Sequence, residues 1–203
     1  MPNEKSIEIP AINIKTIELR LNGTEPLITH AWSDRAKKAM LDKQMKKATQ
    51  GKVAKSPEQD YAESLYWLDK TGHACATGKD PSKHKGKFGF PTVAFKSAAV
   101  RAGTDCDMKM TDLRRAFFVK NRYTIIKGTP RMREDMVKLN GQTADIRYRA
   151  EFANWSTVLT IQYNANRITD EQIVNLFNTA GFGVGVGEWR PEKNGSNGTF
   201  TVA

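Results

Sequence analysis

Cysteine is nearly absent. Cys75 and Cys106 are the two that occur in 203 residues, and neither sits in a paired motif. That argues against a disulfide framework and fits reduced thiols in a cytosolic protein. Long apolar runs are missing as well. No stretch is long enough to span a bilayer, and the opening Met1-Pro2-Asn3-Glu4-Lys5-Ser6 lacks the apolar core of a signal peptide. The expected setting is therefore cytoplasmic, with no membrane partner. Histidine is scarce. His73, Cys75 and His84 are the clustered potential metal ligands, but their spacing matches no zinc pattern and a fourth ligand is missing nearby. No metal and no cofactor are expected. Catalytic signatures fail too: there is no G-x-S-x-G, no Walker loop and no pair of carboxylates on one face.

Acid is what the chain has least of relative to base. Lysine and arginine number 32 against 22 aspartates and glutamates, a net charge of +10. Such an excess points to an anionic partner, of which nucleic acid is the commonest. Hydrophobic residues make up 39% of the chain, which argues against wholesale disorder. The length suits one domain with a real core, or one domain carrying a sizeable insertion.

The most informative stretch is 169–200. Thr169 and Gln172 have the spacing of a capping box. Ile173, Leu176, Phe177 and Ala180 fall on one helical face. Gly181 reads as the stop of that helix. Gly183, Gly185 and Gly187 then alternate with Phe182, Val184 and Val186. That run reads as a strand with alternate side chains removed, open to another backbone. Trp189, Arg190 and the polar turn from Lys193 to Gly198 follow.

Upstream, residues 1–10 read as a loose arm, and Ile17, Leu19 and Leu21 alternate as a half-buried strand does. From Arg35 to Lys55 there are eight basic residues against the single acid Asp42, in a weakly amphipathic helix capped by Ser33. Gln50-Gly51-Lys52 breaks it. Ser56-Pro57-Glu58-Gln59 opens a second helix with the stripe Tyr61, Leu65 and Leu68, while Tyr66 and Trp67 lie off that stripe. Residues 70–89 read as a long loop. A helix lined by Phe95, Ala98, Ala99 and Ala102 follows, then a second over 107–119 with Met110, Leu113 and Phe117 inward. Tyr123 to Ile126 reads as extended, and 129–142 as a basic, irregular connection. The clearest hairpin signal pairs the alternation at 145–152 with that at 155–163 across Ala153-Asn154.

With 33–89 set aside as a helical and loop insertion, the order is strand, helix, two strands, helix, strand. That is the ferredoxin-like βαββαβ pattern of an α+β domain, shared with RNA-recognition modules. The 1–203 chain reads as one such domain.

The segment Phe90-Pro91-Thr92-Val93-Ala94-Phe95-Lys96-Ser97-Ala98, with the late helix, glycine-rich run and last strand, resembles the RAMP superfamily of CRISPR-associated RNA-binding proteins. The block from Val184 to Lys193 is also similar to phage and prophage proteins of similar length. The resemblance covers 15–30 and 88–203. It implies RNA or single-strand binding along the backbone, often by repeating subunits, with 33–89 as the inserted finger or thumb. In this chain the glycine run is interrupted by Glu188 and Trp189.

The leading expectation is a non-catalytic, phage-encoded protein that binds single-stranded RNA or DNA. Phosphates would meet Lys37, Lys38, Lys46 and Lys47 of the insertion, then Lys96, Arg147, Arg149, Arg190 and Lys193. The loop of Gly181, Gly183, Gly185 and Gly187 would lie beside them. Trp189 would either stack on a base or pack in the core. A second expectation is an interaction protein that mimics or regulates a host or CRISPR backbone subunit. A third is a metal-independent ribonuclease using His30, although neither His30 nor Asp34 sits in a matching motif. Assembly into an oligomer or filament is compatible with the first two.

Overall fold

The alternation at Ile17, Leu19 and Leu21 forms the strand it suggests. The computed structural model describes residues 9–47, 54–139 and 143–203. Its elements in chain order are β1 (Ile14–Gly23), β2 (Leu27–Thr29), α1 (Asp34–Gln44), α2 (Pro57–Glu63) and β3 (Tyr66–Leu68). Next come β4 (Lys87–Pro91), α3 (Thr92–Ala102), α4 (Met110–Ala116), β5 (Phe117–Val119) and β6 (Tyr123–Ile126). Last are β7 (Pro130–Leu139), β8 (Thr143–Phe152), β9 (Ser156–Asn164), α5 (Asp170–Gly183) and β10 (Phe200–Val202). The arm expected over 1–10, except Ile9 and Pro10, lies outside the described residues. So does the break at Gln50-Gly51-Lys52. The fold is mixed α+β. Among the described residues no helix is long and apolar enough to cross a membrane.

The main sheet has four strands in the order β10-β1-β9-β5, and each neighbouring pair is antiparallel. Its register places Ile17 opposite Ile161 and Leu19 opposite Leu159, so one face is apolar. On that face lie α3 and α5. Phe95, Ala98, Ala99 and Ala102 of α3 and Ile173, Leu176, Phe177 and Ala180 of α5 are buried. The alanines let the two helices approach closely. Aromatic edges close the core: Phe95 lies 5.7 Å from Phe200, and Phe117 lies 6.1 Å from Phe177, ring centre to ring centre. Each such ring, fully buried, contributes about 1.5–3 kcal/mol. The opposite face carries Thr16, Glu18 and Arg20 of β1 against Gln162, Thr160 and Val158 of β9, and neither central strand places an aromatic there.

Two smaller sheets flank it, β2-β8-β7 and β3-β4-β6. The first corrects the expected hairpin. β8 and β9 do not pair with one another. β8 pairs along its length with β7 and at its end with β2, while β9 lies in the main sheet. The chain turns a corner at Trp155, whose Nε1 donates to Glu25 O at 2.9 Å and whose carbonyl accepts from Gly23 N at 2.8 Å. The connection expected over 129–142 is therefore mostly the strand β7, and its 140–142 end lies outside the described residues. The helix expected over 107–119 stops at Ala116, because Phe117–Val119 pairs with β9 as an edge strand. The stripe of Tyr61, Leu65 and Leu68 is not one helix either. α2 ends at Glu63, and Trp67 and Leu68 are buried on β3. The segment 33–89 thus holds a strand besides its two helices and runs into β4.

The glycine-rich run also departs from expectation. Gly181 does not end α5, and 183–187 is not a strand. α5 runs on to Gly183 and is followed by bends and a short 3-10 turn at Pro191–Lys193. At its other end α5 has the full capping box. Thr169 Oγ1 accepts from Gln172 N at 3.2 Å and Gln172 Oε1 accepts from Thr169 N at 3.0 Å. Thr169→Ala is expected to destabilise the fold by about 1 kcal/mol, read as a melting point lower by about 2–4 °C.

Candidate nucleic-acid interface

The expected binding residues do not form one surface. α1 stands off the fold with none of its residues buried. Arg35 ties it to α2 through Asp60 and Glu63. Lys37 bonds Asp34 at 2.8 Å and Lys47 bonds Asp42 at 2.9 Å. Lys38 and Lys46 make no ion pair among the described residues. Lys96 is turned inward: its Nζ donates to Arg114 O at 3.1 Å and sits 4.0 Å from the Phe118 ring centre. Partial burial holds its ammonium below the ordinary value.

The glycine-rich loop packs on β2. Glu188 N donates to Ile28 O at 3.1 Å. Gly187 has φ +82 there, and a Cβ on it would stand 2.5 Å from that same oxygen, so a side chain has no room. Val184 and Val186 are buried, and Gly185 is enclosed by Pro191 and Arg190. Arg190 is held by Glu192 at 2.8 Å and donates to Gly187 O at 3.1 Å. Lys193 lies on the exposed 3-10 turn. Trp189 is 41% exposed with φ +55, and it is not part of the buried core.

Docking this loop on β2 brings Glu188 beside His30 and Arg149. Glu188 Oε1 lies 3.3 Å from His30 Nδ1, and Oε2 lies 4.0 Å from Arg149 Nη2. The first contact most, and then the guanidinium, hold the Glu188 carboxyl below its ordinary value of 4.5, against the effect of burial. A carboxylate with a lowered folded value stabilises the fold above its unfolded value. That contribution is lost as the pH falls through the lower folded value. Glu188→Gln is therefore expected to flatten the acid limb of a denaturant-unfolding series run from neutral to acid pH. An unchanged acid limb would show that the contact does not stabilise the loop.

Arg147 shares the cavity under α1 and faces Asp145 at 3.8 Å. Arg149, expected to meet phosphate on an open surface, has a side chain only 4% exposed.

The larger concavity is elsewhere. Lys120 N donates to Thr160 O and Lys127 N to Ser156 O, both at 2.8 Å. Between these two anchors the chain leaves β9 and pairs with β4 as β6. Two bonding points reach back: the Thr124 hydroxyl lies 2.6 Å from Thr157 Oγ1 and 2.9 Å from Val158 O, and Ile125 O accepts from Thr157 Oγ1 at 2.9 Å. The result is a groove of about 1380 Å³ between β6, β9 and the loop from Thr71 to Ser82. That loop is shaped by Asp69, which accepts from the amides of Thr71 and His73 at 2.8 and 3.0 Å. His84 is likewise occupied, 2.8 Å from Leu68 O. Among the described residues no group of three or more His, Cys, Asp or Glu side chains is placed to hold a metal ion.

Lys87, Lys120, Arg122 and Lys127 line this groove, all exposed, and none makes an ion pair among the described residues. Its carboxylate, Asp80, is held by Lys83 at 3.2 Å. Tyr123 adds an aromatic wall under Arg122, 5.2 Å from guanidinium carbon to ring centre. None of these residues was among those expected. They sit on separate strands and turns with no shared period, and the signal available was only the density of basic residues from Lys120 to Lys127. No protein-family model and no curated protein matches the chain.

Proposed function

We propose that the protein binds single-stranded nucleic acid along its sugar-phosphate backbone and does not cut it. The observation that carries this reading is the groove at β6, with four exposed cations and no free carboxylate to neutralise them. Its volume of about 1380 Å³ exceeds the usual range of about 300–1,000 Å³ for small-molecule pockets. A flexible strand is the anionic ligand that fills such a shape, and Tyr123 with Arg122 offers a sequence-tolerant stacking surface.

A ferredoxin-like core is the fold this reading assigns. Support comes from the strand order β10-β1-β9-β5, from antiparallel pairing throughout, and from α3 and α5 on one face. The RAMP resemblance is consistent with that order. Stacking of bases on the open sheet face is not the mode proposed, because β1 and β9 present Thr, Glu, Arg, Val and Gln there. The strand is placed instead along the β6 groove.

A second reading, a protein-interaction module, is favoured by α1. Met40 and Leu41 on a helix that buries nothing, and Met45 at its C-cap, are all more than half exposed. Fluorescence anisotropy separates the two readings. Labelled single-stranded RNA, single-stranded DNA and duplex DNA are titrated at low and at physiological salt. Tight binding to single strands that weakens steeply with salt is the expected result. No binding to any of them at low salt would overturn the proposal in favour of the protein partner. Cleavage of the RNA probe without metal would overturn the non-catalytic part, with His30 beside Glu188 the first residue to replace.

A further inference from the structure

A second cavity, of about 340 Å³, lies between α1, α2 and the edge of β8 that extends beyond β2. Arg149 lines it. This side chain is 4% exposed, and its Nε and Nη1 have no hydrogen-bond partner among the described residues. The nearest carboxylate oxygens are Asp135 Oδ2, 3.8 Å from Nη1, and Glu188 Oε2, 4.0 Å from Nη2. Both distances exceed hydrogen-bond length. A guanidinium has five N–H donors and no acceptor, so it carries a large desolvation cost unless oxygen atoms meet it.

The other charges around the cavity are mostly matched. Arg35 holds Asp60 and Glu63, and Lys55 holds Asp145. Asp135 is held at 2.8 Å by Arg133 through Oδ1, while its Oδ2, the oxygen nearest Arg149, has no hydrogen-bond partner among the described residues. Arg147 is only loosely paired, 3.8 Å from Asp145, and His30 opens onto the same space. The lining itself carries four cations, Arg35, Lys55, Arg147 and Arg149, against the three carboxylates Asp60, Glu63 and Asp145, a surplus of one positive charge that points to an oxygen-rich anion. One water occupies only about 30 Å³ of such a volume.

We propose that Arg149 anchors an oxyanion site in this cavity that takes a phosphate group. A tetrahedral phosphate presents oxygens in several directions at once. It meets Arg149 at the floor and reaches the loosely paired Arg147 at the rim. The site is separate from the β6 groove and shares none of its residues. Its occupant is either a free phosphate or phosphomonoester, or one phosphodiester of a bound strand.

The test is the melting of the full chain in inorganic phosphate against chloride at matched ionic strength. A tenfold excess over Kd is expected to raise the melting point of the wild type by about 3–6 °C. Arg149→Met is expected to abolish the shift, and an apolar side chain of similar length is often tolerated at a buried ionic site. If Arg149→Met does not fold, Arg147→Gln at the rim carries the test, and the shift is expected to fall by at least half. An oligonucleotide without terminal phosphates identifies the source. If it removes the effect of added phosphate, the natural occupant is a strand phosphodiester; if it does not, it is a free phosphate. No phosphate-specific shift in the wild type would overturn the proposal. So would an equal shift in the variants, which means an adventitious ion only. The chain with Lys120, Arg122 and Lys127 replaced by alanine is expected to keep the phosphate shift, so loss of strand binding in the groove is read apart from loss of this site.

Discussion

Replacing Lys120, Arg122 and Lys127 together by alanine is expected to weaken single-strand binding about 10²-fold at low salt. The estimate takes roughly 1 kcal/mol for each phosphate contact, which sums to about 3 kcal/mol. The slope of log affinity against log salt is expected to become shallower by about 2, since each neutralised phosphate of a single strand adds about 0.7. The three side chains are exposed and make no ion pair among the described residues, so their removal leaves the melting point near that of the wild type. A loss of binding is then a loss of contacts and not of fold. The contrasting variant replaces Lys38 of α1 and Lys46 just beyond it, two lysines without an ion pair among the described residues. If that pair abolishes binding while the groove variant binds as the wild type does, the strand runs along α1 and the groove assignment fails. If neither variant changes the salt slope, phosphate contact at both places is excluded.

The contrast between these two sets of lysines shows what could be read in the sequence. A run of basic residues on one helix is visible as a run, so the α1 lysines stood out. The groove cations come from the end of β4, the turn after β5 and both ends of β6, and only pairing of strands collects them. The main sheet was legible at β1 and β9, because one wetted face and one buried face impose alternation. Alternation does not say which strand is the neighbour. β8 and β9 both alternate and are joined by only three residues, yet β8 belongs to another sheet. Its partner β7 was hidden by its own charge: Arg131, Arg133 and Asp135 face Glu151, Arg149 and Arg147 across the ladder. The burial of Arg149 follows from the same rearrangement, since Glu188 arrives from the far end of the chain. No local pattern at Arg147 to Glu151 reports that neighbour.

Gly181 is where the reading of the glycine run and the structure differ most, and it carries the largest stability effect expected. Within a helix, glycine to alanine ordinarily gains about 0.5–1 kcal/mol. Gly181→Ala is expected to cost about 2–4 kcal/mol instead, lowering the melting point by roughly 5–15 °C. A Cβ at this position would overlap the carbonyl oxygen of Phe200 and stand 2.8 Å from its carbonyl carbon. Backbone lies on both sides of the contact, so no side-chain rotation relieves it. β10 is three residues long, held by its pairing with β1 and by Asn178 Oδ1, which accepts from Val202 N at 2.8 Å. It is the element expected to lift. Phe200 would then leave its contacts with Phe95 and Trp155. The loop that docks Glu188 would lose the anchors through Gly198, whose amide donates to Pro26 O and whose carbonyl accepts from Val186 N. Gly183→Ala is the control. Its nearest neighbour to a new Cβ is Asp105 Oδ2 at 3.9 Å, which is ordinary contact, so propensity should win and stability hold or rise slightly. Opposite signs two residues apart on one helix would show that close backbone approach, and not helix termination, is why glycine stands at 181. A Gly181→Ala chain melting at or above the wild type would remove the close approach of α5 to β10 from the account.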